Sequence, residues 1–549
     1  MSNPVKLSME NMAFLIDAHN DSLLLNMAWD DDVVEDRNKG QLDASYVLNK
    51  EGGRLRVSAT DLMVNDSVWS LSPTCYIDFK KNGVFINEFV VYSGSQSMSV
   101  NGYFPKTNRD TLYLNFNKLI ISNFDLLTLN KGIDVDGIID GNVQMSGLLD
   151  KFTLLSNLDV ANLGVNKYII GNAFIDATWN APDTSVVIDT EVVRLDSEDK
   201  VLSLLGKYYT SRDNNLDFDL NLNEIDISVV NAFTKGVLSR VSGKLNADLD
   251  VVGSLKKPVI IGDAELNDAA CNIDYLNTYY AVNKSGYEDK TPNRFIKFTE
   301  NRIDLQDIIL IDTLGNIAVA NGIITHDYLR DFNFDVYATL DNFLGMNMLG
   351  DATSSFYGTA IATGDLKIDG PFDDIVMNIN AYTMPGTVID RGLTSSSSIN
   401  DNFIVFVNNE ADNDTITTVV ENKKKDKKFT FNLNADITQD ARLNIHLPSN
   451  MGNITATGTG NIRLGLLLDQ LSLYGDYLID GGAFNFNLQN LVRRNFAIKK
   501  GGSITWTGRA NDADINITGS YRTKSSISSL GIELDTTSRV NNVNVDCML

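Results

Sequence analysis

At 549 residues the chain is long enough for several domains or one extended array, and its 43% hydrophobic share is that of a folded protein. A formal net charge of -25 speaks against nucleic-acid binding, which needs clustered Lys and Arg to neutralise phosphate, and suits the solubility of a long β surface. Three scattered cysteines (Cys75, Cys271, Cys547) with no CxxC give neither a disulfide framework nor a zinc spacing, while 9 prolines against 39 glycines suit many strands joined by tight turns.

The first residues lack the basic segment, apolar core and small-residue cleavage site of a secretory signal, and no run of about 18 apolar residues occurs that could span a membrane as a helix. Strand-like text is under way by Met12, so the chain is expected to start inside a longer protein. Asp17, His19 and Asp21 alternate on one strand face. A solvated face is the better reading than a metal constellation, because a three-residue match is weak. Asp30-Asp31-Asp32 reads as a turn. Further strands are expected at Leu55–Ala59, Tyr76–Phe79 and Gly83–Tyr92. Residues 82–102 share a layout with 301–322: strand, short turn, strand, then Asn-Gly (SVNGYF against VANGII).

A recurring unit starts at Gly102. It holds the alternating strand Thr111–Phe116, a second strand from Gly137 to Gly147, a polar turn over 148–151 and a strand from Phe152. Gly206 opens a copy with Leu216–Leu222, Gly243 to Gly253, a turn over Ser254–Pro258 and a strand from Val259. Gly322 opens a third with Phe332–Val336, Gly358 to Gly370, a turn over Pro371–Asp374 and a strand from Ile375. A weaker echo starts at Gly458. The spacing of roughly 100–115 residues marks a stacked array.

Parity inside the copies is the informative part. One face reads Ile139, Gly141, Val143, Met145, then Leu245, Ala247, Leu249, Val251, then Ala362, Gly364, Leu366, Ile368, and the echo adds Ile462 and Leu464. The other face is mostly polar: Asp140, Asn142, Gln144; Asn246, Asp248, Asp250; Asp365, Lys367, Asp369. Side chains alternate along a strand, so one face is apolar and the other meets water. The ordinary reading is a half-buried sheet over a protein core. The sharper reading, adopted here, is an apolar trough that no protein layer covers, lined by these residues.

Between the strands, Phe124–Leu129, Ile227–Val237 and Leu340–Leu349 depart from alternation, and a short helical turn or loop is expected in each copy. Residues 282–294 and 395–428 read as loops. The run Lys423–Lys428 fits a solvated hairpin tip better than an anionic-lipid patch, being short and interrupted by acid. Trp179, Tyr208 and Tyr209 read as packing residues. Near the C-terminus Tyr477/Ile479 and Phe484/Phe486/Leu488 alternate around Gly481-Gly482, which predicts a hairpin turn, and Gly501-Gly502 predicts a second. Lying between strands, neither pair is a phosphate loop.

The C-terminal text resembles the TamB family, the translocation and assembly module proteins of Gram-negative envelopes, AsmA-like proteins of the bridge-type lipid transport class. The residues that carry the resemblance are Gly475, Tyr477, Ile479, Gly481, Phe486, Leu488, Asn490, Phe496, Ile498, Gly501, Gly502, Ile504, Trp506, Gly508, Asp512, Ala513 and Ile515. Residues 253–322 are similar through Lys257-Pro258, Tyr275, Lys297-Phe298 and the strand from Ile303 to Leu310. Where the family often continues Gly-Asp-Pro, this chain has Gly508-Arg509-Ala510. The resemblance divides the chain into a repeated β segment (1–240) and a TamB C-terminal-like domain (241–549), expected to be incomplete at its C-terminus. It implies an all-β fold: an elongated, curled, taco-like sheet built from long-period repeats, with an apolar groove and few short helices. It further implies phospholipid acyl chains as cargo and an outer-membrane barrel partner of the TamA or BamA type. The implied location is the periplasm, with an inner-membrane anchor outside this chain.

Two other classes fit less well. A β-helical carbohydrate-acting enzyme would have rungs of about 20–30 residues. The three histidines, His19, His326 and His446, are scattered, and the acidic residues are spread rather than paired, so no catalytic, metal or cofactor residue is nominated. An outer-membrane barrel would show aromatic girdles, which 4 tryptophans without rhythm do not supply. A surface adhesin or carbohydrate-binding solenoid stays open as the alternative.

Overall fold

The computed structural model describes residues 10–548 except 31–37, 51, 65–66, 82, 105–106, 108, 124–133, 149–150, 167, 233, 235–237, 275, 283–294, 351–356, 393–427, 448–450, 468–469, 489–491, 510–511 and 527–541. Among the described residues 34 strands are hydrogen-bonded into sheet, and there is no α-helix. The chain divides into two compact units. One comprises Met1–Lys235, Val241–Asn267 and Phe295–Asn301; the other comprises Gly236–Arg240, Asp268–Arg294 and Arg302–Leu549.

In the first unit successive strands pair antiparallel in a meander. From Thr111–Ile120 the order runs through Val135–Ser146, Thr153–Val165, Tyr168–Asn180, Ser185–Val193, Lys200–Tyr209 and Leu216–Asp226 to Leu238–Ser254. The all-β expectation holds, and the strands fall where the repeat places them. The glycines that close each copy share one role. Gly147, Gly253 and Gly370 have φ of 66°, 88° and 105° at hairpin necks, where an added Cβ would lie 2.0, 2.6 and 2.6 Å from the carbonyl oxygen of Lys151, Lys257 and Asp374. No L side chain fits there.

A β-bulge recurs in both units. Two residues on one strand oppose a single residue on the next, and the second of the two is left-handed: Glu88, Lys118, Asn162 and Glu224 in the first unit, Asp307 and Asn342 in the second, all with φ between 47° and 54°. A left-handed L residue costs about 1–2 kcal/mol, and its N–H is lost to the ladder. The opposing side chain takes that N–H. Lys118 N–H donates to Asp140 Oδ1 at 2.9 Å, Asn162 to Asn172 at 3.0 Å, Glu224 to Asn246 at 2.6 Å, Asp307 to Asn321 at 2.8 Å and Asn342 to Thr363 Oγ1 at 2.9 Å. Glu88 makes a longer bond to Asn101, 3.4 Å. A bulge bends its strand and sharpens the local twist, and the buried residues gather beside it. In the first unit Val160, Ala173, Val192 and Val201 form a core against which Ile121, Leu163 and Ile170 pack from beyond the bulges. In the second, Ala318, Ala338, Leu340 and Phe343 do the same with Tyr280. The Tyr280 ring stacks on Phe343 at 4.8 Å, and its hydroxyl donates to the Leu344 carbonyl at 2.8 Å.

The second unit adds two parallel pairs, Asp374–Thr383 beside Lys428–Ile437 and Val388–Gly392 beside Arg442–His446. Each of these chain segments is a strand broken by a corner. At the first corner Thr387 is buried, and its hydroxyl accepts the Ile361 N–H and donates to the Ile361 carbonyl.

Several expectations need correction. Gly481-Gly482 makes no hairpin, for Gln470–Leu488 is one continuous strand. Gly482 is small because the Thr455 carbonyl passes 2.2 Å from where its Cβ would be. Gly501-Gly502 follows a corner rather than a hairpin: Val492–Ile498 and Gly502–Arg509 both pair with the one long strand Gln470–Leu488, not with each other. Leu340–Leu349 is not helical either, lying almost wholly within the strand Arg330–Met348. Ile227–Ala232 does form a 3-10 turn. Phe124–Leu129, residues 283–294 and 395–427, and Lys423–Lys427 lie outside the described residues.

Candidate functional site

Strand register places the sequence-nominated residues on one face within each unit. In the first unit Val91, Met98, Phe116, Gly141, Leu158, Ile175, Thr190, Leu204, Leu220 and Leu249 follow one another as cross-strand partners. A second row runs Val100, Leu114, Val143, Ser156, Ala177, Ile188, Gly206, Phe218, Val251. A third runs Leu119, Ile139, Val160, Ala173, Val192, Leu202, Leu222, Ala247. Met145 pairs with Leu112 and Leu154 beside the second row, and Leu245 pairs with Ile225 past the bulge.

In the second unit one row reads Gly322, Val336, Ile368, Met377, Phe431, Leu466, Leu471 and the next reads Ala320, Ala338, Leu366, Ile379, Leu433, Leu464, Leu473. A third reads Ala318, Leu340, Gly364, Ala381, Ala435, Ile462, Gly475, Trp506, Ala513, with Ala362 one step beyond it beside Phe343. Burial along the rows is uneven. Ile139, Val143, Met145, Leu245, Leu249, Val251, Ala362, Leu366, Ile368, Ile462 and Leu464 are half-buried, and Ala247 is buried.

The opposite face carries a polar ladder. Ser99, Asn115, Asn142, Asn157, Asp176 and Asp189 are successive partners. Asn157 donates to Asp176 at 2.8 Å, and Asn115 donates to Ser99 at 3.3 Å. Amides and carboxylates that bond across strands hold register on a wet face, where an apolar residue would contribute little.

The family-motif residues behave differently. Tyr477, Gly502, Ile504 and Trp506 are buried, in a core with Ile445, Ile454, Ala456, Leu473, Ile479 and Ile498. Gly475, Gly481, Phe486, Phe496 and Gly508 are half-buried around it, Gly501 is exposed, and Leu488 ends its strand paired with Val492. Burial, with the nearby Asp480 adding to it, pushes the Tyr477 phenol up to about 12. The phenol donates to the Ala456 carbonyl at 3.4 Å.

What sequence reading missed is the bulge cap. Asn101-Gly102, Asp140-Gly141, Asn321-Gly322 and Thr363-Gly364 look like turn signals but lie inside strands. The polar residue caps the bulge, and the glycine next to it lets a backbone carbonyl approach to 2.2–2.4 Å of its missing Cβ. The signal was present as the repeat of these dipeptides.

His19 Nε2 lies 3.1 Å from Asp17 Oδ2, both side chains exposed. Among the described residues no group of three or more His, Cys, Asp or Glu could hold a metal ion, and no helix is long and apolar enough to cross a membrane. What the geometry offers is apolar surface in long rows.

Fold and face together define a class: a repeat-built all-β protein that leaves strips of apolar sheet half open to solvent. The family model for the TamB C-terminal domain matches residues 306–546, just under half of the chain. Over this stretch the chain carries a TamB C-terminal domain. No curated protein and no solved structure matches it.

Proposed function

We propose that this protein shields phospholipid acyl chains along its apolar rows and conducts them between the inner and outer membranes, as the periplasmic part of an inner-membrane-anchored protein. The observation that carries the reading is the register. Within each unit apolar partners follow one another strand after strand, half-buried, with polar ladders on the other side. Each methylene kept from water stabilises by about 0.8 kcal/mol, so an acyl chain does not cross an aqueous gap quickly unaided. Rows of aliphatic side chains with almost no polar member hold such a chain without fixing its position, as sliding requires. Support of outer-membrane protein assembly, with a barrel partner of the TamA or BamA type, is the further role proposed on the match to the TamB C-terminal domain.

The test is mass spectrometry of lipid co-purifying after mild extraction from envelopes. Phospholipid should accompany the wild-type chain and be depleted from Leu249→Asp, which sets a carboxylate among the acyl chains. Recovery no higher than with an unrelated envelope protein would sink the proposal.

A further inference from the structure

We propose that the polar face of the first unit is a track for an uncharged, N-acetylated glycan chain. The proposal is independent of the conduit reading, because the track lies on the face opposite the apolar rows. One row carries it: Asp159, Phe174, Glu191, Ser203, Asn221 and Asp248 are successive cross-strand partners. The row beside it runs Asn157, Asp176, Asp189, Leu205, Asp219, Asp250. Two features set these rows apart from a face that merely keeps a sheet wet. Phe174 and Leu205 are 46% and 48% exposed, and each lies between two carboxylates: Asp159 and Glu191 for the first, Asp189 and Asp219 for the second. Asp140 also stands directly opposite Asp159, Asp176 opposite Asp189, and Asp219 opposite Asp250. Like charges so placed destabilise a sheet, and among the described residues no Lys or Arg forms an ion pair with any of the six.

A sugar ring accounts for both features. Its C–H face packs on an apolar side chain, and its hydroxyls donate to the carboxylates around it, which offsets their repulsion. The first row ends in a hollow of about 350 Å³ lined by Lys200, Ser203, Asn221, Asn223, Asn246 and Asp248. The fold fixes the amides there. At the bulge Glu224 N–H donates to Asn246 Oδ1 at 2.6 Å, which leaves Asn246 Nδ2 as a donor. Asn221 Nδ2 donates to Asp248, and Asn223 Nδ2 donates to the Lys200 carbonyl at 3.3 Å, which leaves both amide oxygens as acceptors. A donor and acceptors already held in place match the C=O and N–H of an N-acetyl group with little further ordering. Lys200 is paired with Glu191, so the charge left along the rows is negative and repels polyphosphates, polyuronates and nucleic acid. Strands stand about 4.8 Å apart and an extended glycan advances about 5 Å per sugar, so a chain lying along the rows sets roughly one ring on each strand.

The experiment uses the whole chain. It is co-sedimented with insoluble chitin, an uncharged N-acetylated glycan, and release is attempted with chitohexaose, with maltohexaose as the competitor lacking acetamido groups, and with a chelator. Retention on chitin and release by chitohexaose alone are expected. The Asp219→Ala/Asp250→Ala double variant should bind about tenfold more weakly, because it loses two carboxylate acceptors. Its melting profile should hold or rise, because opposed charges are gone. Phe174→Ala removes an exposed ring, so it should bind about tenfold more weakly with an unchanged melting profile. A face that serves only solubility gives the same melting behaviour and no retention, and that result overturns the proposal. Retention that both variants keep, or that maltohexaose releases equally, overturns it as well. So does retention lost to the chelator, which would assign the opposed carboxylates to a bridging cation.

Discussion

Replacing Leu249 and Ile504 by aspartate separates an open apolar face from a closed one. Leu249 is half-buried, paired with Leu220 on the next strand. Full burial of a leucine stabilises by about 1.5–3 kcal/mol, so half burial contributes about 1 kcal/mol. The new carboxylate keeps its water, and the poor strand propensity of Asp adds up to about 1 kcal/mol. Leu249→Asp should therefore cost about 1–2 kcal/mol. Ile504 is 0% exposed. Ile504→Asp loses the full transfer term and leaves an unpaired charge in a packed core, so it should cost more than about 5 kcal/mol. The assay is urea denaturation followed by circular dichroism, with hydrogen exchange read peptide by peptide, because a chain of two units need not unfold in one step. Lys367→Gln on the outer face is the control, since it removes only exposed ion pairs to Asp335 and Asp369. The reasoning is refuted if Leu249→Asp costs as much as Ile504→Asp, for the face over Leu249 would then be a closed core.

Asn246→Ala should cost about 1 kcal/mol and speed hydrogen exchange at Glu224, whose N–H loses its acceptor, while Asn246→Asp should be tolerated because Asp140 does the same work in another copy. Within the glycine pair, Gly482→Ala should destabilise by about 2–4 kcal/mol, because its Cβ would meet the Thr455 carbonyl; Gly481→Ala, facing open space, should stay within about 0.5 kcal/mol in the same melts. Alkaline titration should show a tyrosine-linked loss of stability. The Tyr477 and Tyr280 phenols are raised from 10.0 to about 12 by burial, so their share of stability is whole below the unfolded value and falls as pH rises through the folded one. Tyr477→Phe should shrink that loss between about pH 10 and 12 and leave neutral stability nearly unchanged, measured by denaturation midpoints across the pH range.

Much of this architecture is legible in the sequence where the physics is local. Strict alternation around Ile139–Met145, Leu245–Val251 and Ala362–Ile368 predicted strands with one apolar face, and register puts each set on one face. What misled were residues whose reason is a distant strand. Gly-Gly between two alternating runs has the chemistry of a hairpin, yet Gly482 answers to Thr455, far back in the chain. Asn-Gly has the chemistry of a turn, yet Asn321-Gly322 lies inside a strand and Asn321 serves the Asp307 N–H. The burial of Trp506 and Ile504 is equally nonlocal, since alternation looks alike whether a face is covered or bare.

The bulges explain a deeper ambiguity, and deleting one tests it. Across each bulge the apolar face resumes after three residues rather than two: Ile86/Phe89, Phe116/Leu119, Val160/Leu163, Leu222/Ile225, Leu305/Ile308 and Leu340/Phe343. That spacing imitates a helical face, which is why Leu340–Leu349 read as a possible helix. In a sheet it means that an extra residue is absorbed while the apolar side stays constant, so a strand can crease without turning its greasy face outward. A flat sheet would leave all the rows bare, and a sandwich would cover them all. A creased one buries the row beside the bulge for stability and leaves the outer rows half open. Removing Glu224 restores plain alternation, Leu222-Asn223-Ile225, so pairing and face survive while the crease is lost. The expected result is intact β circular dichroism, faster exchange at Val192, Leu202 and Ala247, and increased binding of an apolar dye. If exchange along that row is unchanged, the bulge does not make the crease, and the buried row owes its burial to packing alone.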